Sequence, residues 1–362
     1  MIAADVGRFH AGGLCFKEMT AADVRSDSVQ DVVVIGAGPV GLACAIEAQR
    51  RGLTARVLDK GSLVNSILGY PLNMEFFSTP ELIEIGGHPF PVRRYKPTRE
   101  DALEYYNLVT AREALDVRLY DPVLELHGDR GDFTVITERA QHAARHVVIA
   151  TGFFDRPNLL NVPGEDLAKV THYYREPYPF AGQKVAVVGA KNSAAKAALD
   201  CYRHGAQVVM IVRSATLSTS IKYWIRPDLE NRIKEGSVRA LFNTSVQEIR
   251  DGMLLVQSGG TVQEIPNDWV LAMTGYHPDF SFLERLGITF ADDRYRPPLY
   301  NETTFETTRA GVYIAGTVCG GYQTSRWFIE NGRFHARQIV THMTGGQPAP
   351  APLKGMHWKT EE

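Results

Sequence analysis

The chain has 362 residues, 44% apolar and 22% charged, the composition of a water-soluble globular protein rather than of a disordered, fibrous or membrane-embedded one. Its 39 basic and 41 acidic side chains leave a formal charge of −2, which excludes broad attraction to nucleic acid or anionic membranes and favours a small-molecule ligand, with room for a local basic pocket. The length suits two domains, or one domain split by another, and is enough to enclose a large cofactor. Cys15, Cys44, Cys201 and Cys319 are dispersed, with no C-x-x-C pair and no zinc-ligand spacing. No metal site is expected, and a reducing, cytoplasmic location fits.

Residues 1–28 carry scattered charges without the apolar core of a signal peptide and read as a flexible leader, with Met19 a possible true start. The longest apolar run, over 32–48, is interrupted by Gly36, Gly38, Pro39 and Gly41. It reads as strand, turn and helix rather than as a membrane span. The β-branched residues 32–35 suit a parallel strand covered on both faces. They lead into Gly36-Ala37-Gly38-Pro39-Val40-Gly41. In such a turn the first glycine permits the reversal, the second admits a pyrophosphate, and the third lets helix and strand pack closely, with the helix N-terminus facing the phosphates. A second strand over 55–58 ends in Asp59, placed to bind ribose hydroxyls.

A second unit repeats the pattern. A strand over 184–188 runs into Gly189-Ala190-Lys191-Asn192-Ser193-Ala194, a helix over 195–204 and a strand over 207–212. The turn is looser, with Lys191 and Ala194 where glycines are usual. Its second strand delivers Arg213 where the first delivered Asp59; arginine suits an adenosine 2′-phosphate, so this site reads as one for NADPH. Lys222, Arg226 and Arg232 lie just downstream, either adding to the phosphate pocket or forming a solvated basic face. Two strands end in Thr-Gly turns, at Thr151-Gly152 and Thr274-Gly275, and mark the places where the chain crosses between domains. The expected organisation is a leader (1–28), a first dinucleotide domain in two parts (29–165 and 275–345) with the second inserted (166–274), and a flexible tail (346–362). The fold class is α/β with two Rossmann-like, three-layer dinucleotide-binding domains.

At these residues the chain resembles the two-dinucleotide-domain flavoproteins of the thioredoxin-reductase-like branch, which bind FAD first and NADPH second. More narrowly, Val64-Asn65-Ser66-Ile67, Phe76-Phe77-Ser78-Thr79, Glu84-Ile85-Gly86, Gly189-Ala-Lys191-Asn192-Ser193, Ile221-Lys222-Tyr223-Trp224 and Phe328-Ile-Glu330-Asn331-Gly332-Arg333 are similar to the bacillithiol disulfide reductase (YpdA-type) family. The resemblance implies an NADPH-dependent FAD oxidoreductase reducing a low-molecular-weight disulfide, and a homodimer. It adds Lys60, Asn65, Ser66, Thr151, Gly152, Gly275, Gly316 and Thr317 to the cofactor contacts, with Thr317 where relatives carry an aspartate. A last helix expected from near Thr324 would point its N-terminus at the flavin and favour negative charge there.

One departure changes the chemistry. Relatives place a cysteine before the last glycine of the first turn; here that residue is Val40, which cannot attack a disulfide. Cys319, in the glycine-rich loop after Thr317, and Cys44, one helical turn past Val40, are the candidate replacement thiols. No spacing selects a proton donor among His88, His172, His277 and His335. Three alternatives stay open: reduction of ferredoxin or flavodoxin, which the missing thiol favours; flavin-dependent monooxygenation, which residues 150–164 and 180–189 also resemble; and a non-catalytic redox-reporting role.

Overall fold

A computed structural model describes residues 28–349. The expected leader but for its last residue, with Met19 and Cys15, and the tail beyond 349 lie outside the described residues. The first sheet runs Asp116–Arg118, Ala55–Leu58, Gln30–Ile35, Gln141–Ile149, Asp132–Thr137, Val123–Asp129. Its long strand, Gln141–Ile149, forks: the first half pairs antiparallel with Asp132–Thr137 and the second half parallel with Val312–Ile314. Gln30–Ile35 is central and buried on both faces, as its run of valines and isoleucine requires. The helices Pro39–Arg50, Arg99–Arg112 and His335–Met343 contribute to the same core.

The second sheet, Arg239–Leu241, Gln207–Ile211, Lys184–Val188, Trp269–Ala272, Val170–Thr171, is parallel throughout. Side chains alternate across it. Val185, Val187 and Met210 pack under the helices Asn192–Arg203 and Arg226–Lys234, whereas Ala186, Val188 and Ile211 face the meander Thr244–Arg250, Met253–Ser258, Thr261–Pro266. This makes three layers, α/β throughout the nucleotide units. All five strands of this sheet fall between residues that leave the first sheet at Ile149 and rejoin it at Val312. The two crossings run side by side, Arg156–Pro157 pairing antiparallel with Tyr276–His277. Arg156 ties them further through two hydrogen bonds to Asp279, at 2.9 and 2.7 Å.

Two elements differ from the sequence reading. The helix expected from near Thr324 begins at Ile329 and continues, after a break, as His335–Met343. The cause is Asn331: its Oδ1 accepts the Phe328 N–H at 2.8 Å and its Nδ2 donates to the Arg326 carbonyl at 3.0 Å, which closes the helix start there. The second-unit helix begins at Asn192, straight from the turn, rather than at Ala195.

Candidate active site

The first turn separates glycines required by the protein from one required by something else. A Cβ on Gly36 would stand 2.5 Å from the Ala150 carbonyl oxygen, and one on Gly41 would stand 1.9 Å from the Gly36 oxygen. Both are closed to any side chain. A Cβ on Gly38 would meet nothing within 4 Å, so the turn presents open backbone in front of the helix Pro39–Arg50. That helix has proline in its first turn and no side-chain cap, which leaves its first N–H groups for an anion. Asp59 accepts the Ala37 N–H at 2.7 Å and the Gly61 N–H at 2.8 Å. Burial pushes its carboxyl up against the pull of those two bonds.

The chain just beyond Asp59 is strained. Val64 is β-branched yet left-handed, at φ 46°, and is pinned by its N–H to the Ala37 carbonyl at 3.1 Å. Asn65 accepts the Ser62 hydroxyl at 3.2 Å, and Ser66 follows in the same short helix, Asn65–Leu68. Lys60 pairs with Asp155 at 2.8 Å. Lys60, Asn65, Phe154, Asp155, Tyr173 and Arg175 line a cleft of about 360 Å³.

Three distant segments meet beside the turn. A Cβ on Gly152 would lie 3.5 Å from the Thr317 Oγ1; one on Gly316 would lie 3.1 Å from the Val40 Cβ; one on Gly332 would lie 3.2 Å from the Gly316 Cα. Val40 is thus packed between two glycines, 8% exposed. His335 holds this junction, its Nδ1 accepting the Gly316 N–H at 3.1 Å. The imidazole is fully buried, stacked on Phe305 with centroids 3.8 Å apart. Burial, reinforced by the Arg326 charge, pushes it down to about 3, so it is neutral. Sequence spacing did not single it out, because its partner amide lies in another element. Thr324 lies in the turn preceding the helix and is not its N-terminus.

The candidate thiols are in the core. Cys319 is 0% and Cys44 1% exposed, and both are free. Burial pushes Cys44 up to about 12 and Cys319 well above the ordinary thiol range. Neither is presented as a nucleophile, since thiolate character and access are both withheld. Cys201 is equally buried, under the second sheet.

In the second turn a Cβ on Gly189 would lie 2.5 Å from the Met273 oxygen and 3.1 Å from the Ala194 Cβ; the alanine fits where the first unit needed Gly41. Lys191, Ser193 and Arg213 are exposed. Asn192 is occupied within the fold: its amide donates to the Ser220 carbonyl and its Oδ1 accepts the Lys222 N–H, each at 2.9 Å. Gly275, left-handed at φ 91°, accepts the Asn158 N–H through its carbonyl at 2.9 Å at the crossing. Arg226 pairs with Glu230 at 2.7 Å and Arg232 with Glu235 at 2.6 Å. Their charges are therefore met on their own helix or at its C-terminal cap, which favours the solvated-face alternative for them.

Residues 33–316 match the model of a family described as pyridine nucleotide-disulphide oxidoreductase. Bacilliredoxin reductase Bdr of Bacillus subtilis (strain 168) is 40% identical over 316 residues, 87% of this chain and 97% of that protein. Solved structures of bacillithiol disulfide reductase Bdr (YpdA) from Bacillus cereus and Staphylococcus aureus align with TM-scores of 0.86 and 0.85 at 39% and 38% identity. Each alignment covers 88% of this chain, and 99% and 98% of those chains respectively.

Proposed function

The chain belongs to the pyridine nucleotide-disulphide oxidoreductase family, an oxidoreductase family that works with flavin and NAD(P)H, and from that premise we propose that it uses FAD and NADPH to reduce a low-molecular-weight disulfide such as bacillithiol disulfide. The net reaction is NADPH + H⁺ + RSSR → NADP⁺ + 2 RSH. The supporting observation is the pairing of two dinucleotide turns, Asp59 behind one and Arg213 behind the other, with Gly152, Gly316 and Thr317 gathered beside the first. FAD, when bound, supplies the two-electron carrier. Gly36, Gly38, Pro39 and Gly41 hold its pyrophosphate, and Asp59 takes a ribose hydroxyl. Lys60, Asn65, Ser66, Thr151, Gly152 and Thr317 line the remainder, and Val40 and Gly316 form the floor. Gly189, Lys191, Ser193 and Ala194 hold NADPH, with Arg213 on its 2′-phosphate. The FAD-binding residues fall in 29–165 and 275–345, the NADPH-binding residues in 166–274.

Among the described residues no accessible thiol stands in the path, because position 40 is valine and Cys44 and Cys319 are buried. The acceptor is therefore reduced without a protein mixed disulfide. The reading includes a cytoplasmic homodimer; no described helix is long and apolar enough to cross a membrane. Val40 also supports a second reading, electron delivery to ferredoxin or flavodoxin. The deciding experiment is anaerobic: one equivalent of NADPH should bleach the yellow protein, and bacillithiol disulfide should restore the absorbance. Bleaching that only ferredoxin or flavodoxin reverses selects the second reading.

A further inference from the structure

We infer, resting on the disulfide-reductase reading, that the cleft walled by Phe154 and Tyr173 seats the disulfide acceptor and that Arg175 binds one of its carboxylates. The cleft lies between the two units. Tyr173 and Arg175 follow Val170–Thr171, the edge strand of the second sheet, whereas Lys60, Asn65, Phe154 and Asp155 come from the first unit. Leu68, 39% exposed, and Gly69 complete the lining. The volume of about 360 Å³ is that of a small-molecule site.

The aromatic wall is built before any ligand arrives. The Tyr173 hydroxyl donates to the Phe154 and Asp155 carbonyls at 3.2 and 3.0 Å, and its ring stacks on Tyr276 with centroids 5.2 Å apart. Phe154 meets Tyr70 edge to face at 5.0 Å and lies 4.6 Å from Tyr276. A Cβ on Gly69 would stand 2.9 Å from the Phe154 Cε1, so the bare backbone there is what lets the ring close down on this segment. Rings fixed in this way lose little freedom when they cover the apolar part of a ligand.

The charge of the cleft falls on one residue. Of its three charged side chains, Lys60 and Asp155 neutralise each other at 2.8 Å. Among the described residues the Arg175 guanidinium has no hydrogen-bond or ion-pair partner, although its backbone is tied to the first unit, the Arg175 carbonyl accepting the Leu72 N–H at 2.9 Å. An arginine on open surface is simply hydrated. This one lines a concave, aromatic-walled cleft, where its fork of N–H donors fits a carboxylate. A phosphate of NADPH is the other anion to consider, and the sheet order argues against it. The proposed phosphate sites follow Lys184–Val188 and Gln207–Ile211, two and three strands from Val170–Thr171, or about 10 and 14 Å at the spacing of paired strands. Lys60 and Asn65, proposed cofactor contacts, share the cleft with Arg175, so an acceptor held there stands beside the flavin nucleotide.

The test uses the full-length holoenzyme with Arg175→Gln and Arg175→Lys, each checked for FAD content and Tm. The two half-reactions are followed separately, with bacillithiol disulfide, which carries carboxylates, and with cystamine, which carries none. Arg175→Gln should be reduced by NADPH at a rate within twofold of the parent and show a KM for bacillithiol disulfide about tenfold higher, reflecting one lost charge-assisted contact. Arg175→Lys, which keeps the charge but not the fork, should show a smaller rise. Turnover of cystamine should not fall, and the salt dependence of bacillithiol disulfide turnover should weaken in Arg175→Gln. A rise in the KM for NADPH alone overturns the proposal in favour of a phosphate contact, and loss of FAD overturns it in favour of a cofactor contact. Equal losses with cystamine would make the role of Arg175 structural, and unchanged constants for every substrate overturn the proposal outright. A parent enzyme that reduces no disulfide would sink the functional reading itself and the acceptor site with it.

Discussion

Gly38→Ala separates a ligand's demand on the backbone from the protein's own. Gly38 has φ −74° and ψ 171°, a conformation alanine adopts freely, and its added Cβ would meet no atom within 4 Å. The variant should therefore fold as well as the parent without cofactor, or better by about 0.4–1 kcal/mol, because the unfolded chain loses freedom. With FAD the Cβ occupies the space through which the pyrophosphate approaches. Pushing the ligand back should cost about 1–3 kcal/mol, as overpacking does, which raises the Kd about 5- to 150-fold. Gly41→Ala is the contrast: at 1.9 Å from the Gly36 oxygen its methyl forces the turn open, so cofactor-free stability and FAD affinity should both fall. The assay is flavin fluorescence quenching on titrating cofactor-free protein, with thermal unfolding run in parallel. An unchanged Kd for Gly38→Ala would refute the assignment of the turn to a pyrophosphate.

Three further outcomes are expected. Arg213→Ala should lower kcat/KM for NADPH about 10- to 150-fold, the range of a lost charge-assisted bond, and leave NADH within twofold; equal losses would remove the 2′-phosphate contact. Replacing Cys44 and Cys319 together by alanine should leave the disulfide kcat within twofold while costing about 1–2 kcal/mol of stability each from the small cavities. Both native thiols should resist iodoacetamide at pH 7.5, since Cys44 is pushed up to about 12, and a tenfold loss of turnover would return a thiol to the pathway. His335, held at about 3 against an ordinary 6.5, gives a pH signature. Between those values the unfolded chain binds a proton that the fold refuses, so the contribution is complete above pH 6.5 and falls as pH drops through the window. The loss is up to about 1.4 kcal/mol per pH unit. Urea unfolding of the parent should therefore weaken more from pH 7.5 to 5.5 than that of His335→Asn, and parallel slopes would contradict the buried neutral imidazole.

The sequence by itself determined the paired strand-turn-helix units, because a β-branched run, a glycine forced to a reversal and the residue at the next strand's end are all local properties. Asp59 and Arg213 follow those strand ends for that reason, whereas the missing thiol at Val40 stands out only against the resembled family. Helix starts set by a side-chain cap were less legible: Asn331 closes the last helix at Ile329 through contacts that periodicity does not encode, and Thr324 falls outside it. Only tertiary structure decided which way a side chain faces and what it meets. It sealed Cys44 and Cys319 in the core, chose His335 from four histidines by placing the Gly316 amide against it, and set Val40 between Gly316 and Gly332. It also drew Lys96 towards Lys196 and Lys222 across a hundred residues of chain or more. Such meetings depend on how separate layers pack and how two crossings hold the units face to face, and no local period carries that information.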